Sequence, residues 1–167
     1  CGSRFSGRPA DELVDLRNNV FYNWGPTNGG YAGEGGSYNF VGNYYKPGPS
    51  TATKESLTYR IFSPNADDGT QKNAAGIWGS FYVHANYIDN TCNALTDKMR
   101  QYIAQTNEDN WVGIHPNTNN GALPGGSKDG IKANQEYKVA AVGTHTAATA
   151  YERVLNYAGA SMQRDAV

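Results

Sequence analysis

The sequence predicts an all-β chain: the terminal rungs of a parallel β-helix, with long loops and a packed C-terminal α-helix. Three observations predict it. The first is a motif that recurs three times: an apolar residue, two intervening positions, an Asn, then an aliphatic or aromatic pair. It reads Leu16-Arg17-Asn18-Asn19-Val20-Phe21, Phe40-Val41-Gly42-Asn43-Tyr44-Tyr45 and Val83-His84-Ala85-Asn86-Tyr87-Ile88. The first two copies lie 24 residues apart and the last two 43 apart, about the length of one rung with insertions placed in loops. The second observation is the Asn itself. At a bend, stacked side-chain amides can hydrogen-bond to the Asn above and below; an ordinary antiparallel sheet with Asn at its turns is the competing arrangement. The third is composition: 20 Gly, 12 Tyr and only 17% charged residues describe a loop-rich β protein.

The elements follow in order. Residues 1–13 form a polar loop carrying Arg4, Arg8 and Pro9, and the first strand-rich rung follows at 14–24. Gly25-Pro26-Thr27-Asn28-Gly29-Gly30 breaks it, and Gly33, Gly35 and Gly36 surround Glu34 in the next bend. The second rung covers 38–46 and stops at Lys46-Pro47-Gly48-Pro49, where two prolines forbid further sheet pairing. A strand is expected over Leu57–Phe62, then a loop Ser63–Asn73, then the third rung at 77–90. In Ala94–Gln105, Leu95, Met99, Tyr102 and Ile103 fall at helical spacing, with Thr96 or Asn93 as N-cap. Residues 107–135 read as a long polar excursion over the surface. Thr146–Gln163 is the clearest helix, capped by Thr146, with Tyr151, Val154, Leu155 and Ala158 on the face expected to pack against the β stack.

Length and charge bound the function. At 167 residues there is one domain's worth of core, divided into rungs at 1–92 and an extension of helices and loops at 93–167. A net charge of −1 argues against a nucleic-acid partner, although a local Arg cluster could still hold another polyanion. No apolar run approaches the roughly 18 residues that would span a bilayer. Cys1 and Cys92 allow one disulfide or none, and neither sits in a zinc-type CxxC pair. The chain starts Cys1-Gly2-Ser3-Arg4 without an initiator Met or signal peptide, and is read as part of a longer polypeptide. An exposed first rung would be an open sheet edge, so an upstream segment of the same polypeptide is the expected partner.

The segment Leu13-Val14-Asp15-Leu16-Arg17-Asn18-Asn19-Val20-Phe21-Tyr22-Asn23 resembles the rung that follows the catalytic arginine loop in pectate lyases of polysaccharide lyase family 1. The loop here is Ser3-Arg4-Phe5-Ser6-Gly7-Arg8-Pro9. Asn28-Gly29-Gly30-Tyr31-Ala32-Gly33-Glu34-Gly35-Gly36, Asn43 through Pro49, and the ending from His145-Thr146-Ala147 to Arg164-Asp165-Ala166-Val167 are similar to bacterial secreted members. The resemblance implies a right-handed parallel β-helix, a secreted or periplasmic location, and calcium-assisted β-elimination of 1,4-linked polygalacturonate. It also implies that this chain is the carboxy-terminal portion of the enzyme. The pattern departs in the loop: the family has Arg-x-Pro-x-x-Arg, whereas Arg4 and Arg8 are four apart with no Pro two after Arg4. A further substrate-binding arginine of some relatives is replaced near Glu34. The Ca2+ ligands and a substrate-binding lysine belong upstream of Cys1, so no metal ligand is assigned within the chain.

In β-elimination a base removes the C5 proton, α to the uronate carboxylate, and the C4–O bond then breaks. A bound calcium lowers the barrier by polarising that carboxylate. The resemblance implies that Arg4 is the base. Guanidinium is normally a permanent cation, and neighbouring cations such as Arg8 would disfavour its charged form. If both stay charged, they would clamp uronate carboxylates bidentately. Arg8, Tyr31, Glu34 and Lys46 are the candidate substrate-binding residues: Arg8 and Lys46 for carboxylates, Tyr31 (with Tyr44 and Tyr45) for stacking on sugar rings, Glu34 for a direct contact. The bland alternatives are a solvated loop end for Lys46, packing for the tyrosines and a hydrogen-bonded carboxylate for Glu34. Asn65-Ala66-Asp67-Asp68-Gly69 lacks the ligand spacing of an EF-hand and reads as an Asx-type turn, and His84, His115 and His145 show no ligand spacing. A non-catalytic carbohydrate-binding or adhesive β-helix is the rival from another class. A hydrolase is third, since nothing marks a pair of carboxylates at fixed separation.

Overall fold

The three motif asparagines stand in one column, and the rest of the architecture is arranged around that fact. A computed structural model describes residues 11–26, 29–70 and 73–159; Arg4 and Arg8 lie outside the described residues. Strands β1 (Leu13–Arg17), β4 (Ser37–Val41) and β7 (Ser80–His84) make one sheet. A second holds β2 (Val20–Tyr22), β5 (Tyr44–Lys46) and β8 (Tyr87–Ile88), and a third holds β3 (Tyr31–Gly33) and β6 (Ser63–Asn65). Every pairing is parallel: Leu16 lies beside Phe40 and Phe40 beside Val83, and Val20 beside Tyr44 and Tyr44 beside Tyr87. Leu16, Phe40 and Val83 meet in the interior, as do Phe21, Tyr45 and Ile88, whereas the Val20–Tyr44–Tyr87 column faces outward, with Tyr87 41% exposed.

The Asn column is a hydrogen-bond ladder. Asn19 Nδ2 donates to Asn43 Oδ1 at 3.0 Å, and Asn43 Nδ2 donates to Asn86 Oδ1 at 2.8 Å. Asn86 Nδ2 in turn reaches Asn110 Oδ1 at 3.2 Å. Each amide also serves the backbone of the next turn, as where Asn43 N–H donates to Asn86 Oδ1 at 3.0 Å. Asn43 and Asn86 are buried, and these bonds offset the cost of taking an amide out of water. The residue before each of the three motif asparagines takes a left-handed backbone: Asn18 at φ 54°, Gly42 at 60°, Ala85 at 54°. Asn and Gly suit that conformation; Ala does not.

The expected all-β parallel β-helix is corrected by the helical content. Among the described residues, short parallel strands in small sheets are accompanied by four α-helices, and helix, 3₁₀ turns included, accounts for 30% of them against 23% for strand. The strands are two to five residues long, and their connections hold much of the regular structure. Helix α1 (Pro49–Ala52) begins with a Pro at its first position, where the missing N–H costs nothing. Helix α2 (Glu55–Thr58) takes the first two residues of the segment expected as a strand over Leu57–Phe62, the strand itself starting only at Ser63, and Leu57 is fully buried. Helix α3 (Asp97–Glu108) starts where Thr96 Oγ1 accepts the Met99 N–H at 3.3 Å and buries Met99, Ile103 and Thr106.

Residues 107–135 are only in part the expected surface excursion: much of the segment is exposed, but three of its apolar residues enter the core. The 3₁₀ turn Asn110–Gly113 follows α3, and Trp111, Ile114 and Ile131 are buried in the same core as Phe40, Phe62 and Phe81. Bridges pair Phe62 with Ile114, Asn65 with Asn117 and Phe81 with Lys132, all parallel. The chain then runs back across the first sheet. Tyr137 is held at both backbone groups by the Asn39 amide, and His145 in the same way by Asn18. Helix α4 (Ala147–Tyr157), capped by Thr146, ends this return. Its inner face is Ala147, Ala150, Tyr151 and Val154, with Tyr151 stacked on Tyr44 at 4.3 Å; Leu155, expected on that face, is 52% exposed. Among the described residues no helix is long and apolar enough to cross a membrane.

Candidate functional site

The third sheet carries the largest concentration of chemistry. Its parallel register sets Tyr31 beside Ser63, and the Phe62–Ile114 bridge sets Ser63 beside His115. Ser63 Oγ donates to the His115 carbonyl at 2.8 Å, and His115 N–H donates to the Phe62 carbonyl at 3.1 Å. Because side chains alternate across a strand, the buried Ala32, Phe62 and Ile114 turn inward. Tyr31, Ser63 and His115 then form a column on the other face, spanning about 10 Å over two strand spacings.

Around His115 the column widens into a cavity of about 390 Å³ lined by Tyr59, Tyr102, Gln105, Val112, His115 and Lys128 among others. Tyr59 and Tyr102 stack at 4.7 Å, and Tyr59 meets the imidazole edge-on at 4.8 Å. Arg60 Nε donates to His115 Nδ1 at 3.1 Å. The acceptor nitrogen must be unprotonated, which fixes the neutral imidazole with its proton on Nε2. Burial, then the positive charges of Arg60 and Lys128, push the His115 pKa down to about 4. Burial likewise lowers the Arg60 guanidinium and the Lys128 ammonium from their ordinary values. Lys128 Nζ donates to the Trp111 carbonyl at 2.8 Å, and no carboxylate ion-pairs with it among the described residues. Half-buried cations beside aromatic faces are suited to a ligand that brings its own negative charge.

The residues singled out from sequence are distributed around this site unevenly. Tyr31 opens β3 and is 38% exposed. Its hydroxyl donates to Glu34 Oε1. Glu34 is buried, at φ 63° between Gly33 and Gly35, with its N–H on the Asn65 carbonyl at 3.0 Å. Tyr31 and Glu34 thus come together on the third sheet. Lys46 does not join them. It ends β5 in the second sheet, donates to Asp89 Oδ2 at 2.6 Å and lies 5.4 Å from the Tyr151 ring centre. That bond raises the Lys46 pKa; burial pushes Asp89 up, but the bonds from Lys46, Thr91 and Tyr44 outweigh it and hold the carboxyl below its ordinary value. Tyr44 and Tyr45 are buried, Tyr45 against Phe21 at 4.6 Å.

Arg60, His115, Tyr59, Tyr102 and Lys128 carry no signal of their own in the sequence, because the fold gathers them from positions up to 69 residues apart. The loop at Asp67 is the Asx turn its sequence suggests, with Gly69 N–H on Asp67 Oδ1 at 2.8 Å. Among the described residues no group of three or more His, Cys, Asp or Glu side chains could hold a metal ion. Set against known proteins, the chain matches no family model, no curated protein and no solved structure.

Proposed function

We propose that this chain binds an acidic polysaccharide along the third sheet and is the carboxy-terminal portion of a pectate lyase acting on 1,4-linked polygalacturonate. The observation that carries the reading is the alignment of Tyr31, Ser63 and His115 with the Tyr59–Tyr102 stack and the two cations Arg60 and Lys128. Aromatic faces accept the C–H side of a sugar ring, and half-buried cations pair with uronate carboxylates. In this reading Arg4 takes the C5 proton, electrons from the C5–H bond form the C4=C5 double bond, and the C4–O bond breaks with the electron pair leaving on oxygen. Arg8 would hold a neighbouring carboxylate. Calcium would neutralise the reacting carboxylate from ligands outside the described residues.

Titration with trigalacturonate by calorimetry, set against neutral galactotriose, tests the binding part. Lys128→Gln is expected to weaken trigalacturonate about tenfold, the loss of one charge-assisted hydrogen bond. Arg4→Ala is expected to abolish turnover with only modest loss of binding. Turnover unchanged in the Arg4→Ala protein would sink the catalytic assignment; equal affinity of Lys128→Gln and the parent would remove the binding face.

A further inference from the structure

A second cavity, of about 470 Å³, lies at the free edge of the first sheet and meets the site above only at Trp111, whose carbonyl accepts from Lys128. Its floor is the end of β7, from Tyr82 to Ala85, and its walls are Glu108–Trp111 and Lys132–Asn134. The strand explains why it is open. Ser80 N–H and the His84 carbonyl bond toward β4, to Gly36 and Gly42. Alternation therefore turns the backbone of Phe81 and Val83 to the opposite edge. Phe81 is satisfied there, its carbonyl accepting the Ala133 N–H at 2.9 Å. Val83, two residues on, has no strand beside it among the described residues. Backbone groups turned toward a half-enclosed space call for a partner that both donates and accepts.

The side chains around that edge have the same character. Asn107 and Asn110 are committed to the backbone of Ile88 and Asn86. Among the described residues, the Tyr82 hydroxyl, the His84 imidazole and the Glu108 carboxylate are not committed to any hydrogen bond. Lys132 Nζ lies 5.3 Å from the Trp111 ring centre, closing one wall with an aromatic surface. Two carboxylates, Glu108 and Asp109, outnumber the one lysine, so an anionic ligand is disfavoured here. Hydroxyl groups, each donor and acceptor at once, match both the strand edge and the mixed side chains. We propose that this cavity is a binding site for a neutral saccharide, separate from the third-sheet face. It does not rest on the lyase reading.

The test is heteronuclear NMR titration of the whole protein with neutral galactobiose and cellobiose, and in parallel with trigalacturonate. The indole N–H resonances of Trp24, Trp78 and Trp111 and the backbone amides report position. The expected result is saturable shifts at Trp111 and at residues 82–85 and 132–134 with a neutral sugar, and none at 82–85 or 132–134 with trigalacturonate. Glu108→Gln and Tyr82→Phe, both substitutions at open side chains, are expected to weaken the neutral sugar about five- to tenfold each. No shift at these residues with either neutral sugar up to tens of millimolar would overturn the proposal. So would shifts with neutral sugar confined to Tyr59, Tyr102 and His115, or unchanged affinity in both variants.

Discussion

Asn43 and Asn86, 43 residues apart in sequence, share one acceptor oxygen: Asn86 Oδ1 takes both the Asn43 backbone N–H at 3.0 Å and the Asn43 side-chain amide at 2.8 Å. Asn43 passes the same pattern to Asn19 and in addition donates to the Leu16 carbonyl at 2.8 Å. A side chain in the middle of such a ladder cannot leave without stranding buried partners on both sides.

Asn43→Ala is therefore expected to destabilise the fold by about 2–4 kcal/mol, since the Asn19 backbone and side-chain N–H groups lose an acceptor while Asn86 Oδ1 and the Leu16 carbonyl each lose a donor. Urea denaturation should show a lower midpoint with an unchanged slope. A loss below about 1 kcal/mol would mean that water replaces the amide and the ladder is ornamental.

Ala85 holds the left-handed backbone that Asn18 and Gly42 hold at the equivalent turns. Ala85→Gly should stabilise by about 0.5–1 kcal/mol, the relief of αL strain less the greater freedom of glycine in the unfolded chain. The opposite substitution, Gly42→Ala, should destabilise. Its new Cβ would lie 2.8 Å from Asn18 Nδ2 and 3.0 Å from the His145 carbonyl. Thermal melts of the two variants moving in the same direction would contradict this account.

His115 has a folded pKa depressed to about 4 against about 6.5 unfolded. Between these values the unfolded chain binds the extra proton, so stability is fully present above about pH 6.5 and falls as the pH drops toward 4. The contribution is bounded at about 3 kcal/mol. Its measure is the difference in unfolding free energy between the parent and His115→Gln, followed from pH 7 to pH 4. That difference should be flat near neutrality and shrink in acid; a difference independent of pH would show that the imidazole is not held neutral.

Lys46 and Asp89 bind the end of the second sheet to the face where α4 packs. Lys46→Met is expected to lower stability by about 1–2 kcal/mol, because Asp89 is left with less than its full set of partners. Trigalacturonate affinity should stay within twofold. A tenfold loss of that affinity with stability intact would return Lys46 to the binding face.

How far the sequence is legible depends on the distance over which a feature is written. The Asn motif states its own stacking, since the apolar residue before each Asn and the pair after it fix the register of three parallel strands. The caps are local: Thr146 caps the last helix as expected, and of the two candidates Thr96 and Asn93 it is Thr96 that caps α3. The fourth ladder residue, Asn110, was legible only in part. It lies 24 residues after Asn86 and precedes Trp111-Val112, but a polar Asn107 stands where the motif has an apolar residue, so the repeat is hidden. The balance of helix and strand was misjudged because Leu57 and Ile61 look alike in a short apolar run; a helical turn and a strand bury such residues equally well. The Arg60–His115 contact spans 55 positions, and no local pattern encodes a pairing made by the register of a sheet.

The most direct test is the ultraviolet absorbance of the purified full-length polypeptide acting on polygalacturonate, first with calcium and then with chelator. The account predicts a rise with calcium, from the unsaturated ring formed by β-elimination, that stops on chelation and is absent in the Arg4→Ala protein. A full-length polypeptide that binds trigalacturonate yet produces no absorbance with calcium would contradict the lyase and leave a carbohydrate-binding protein.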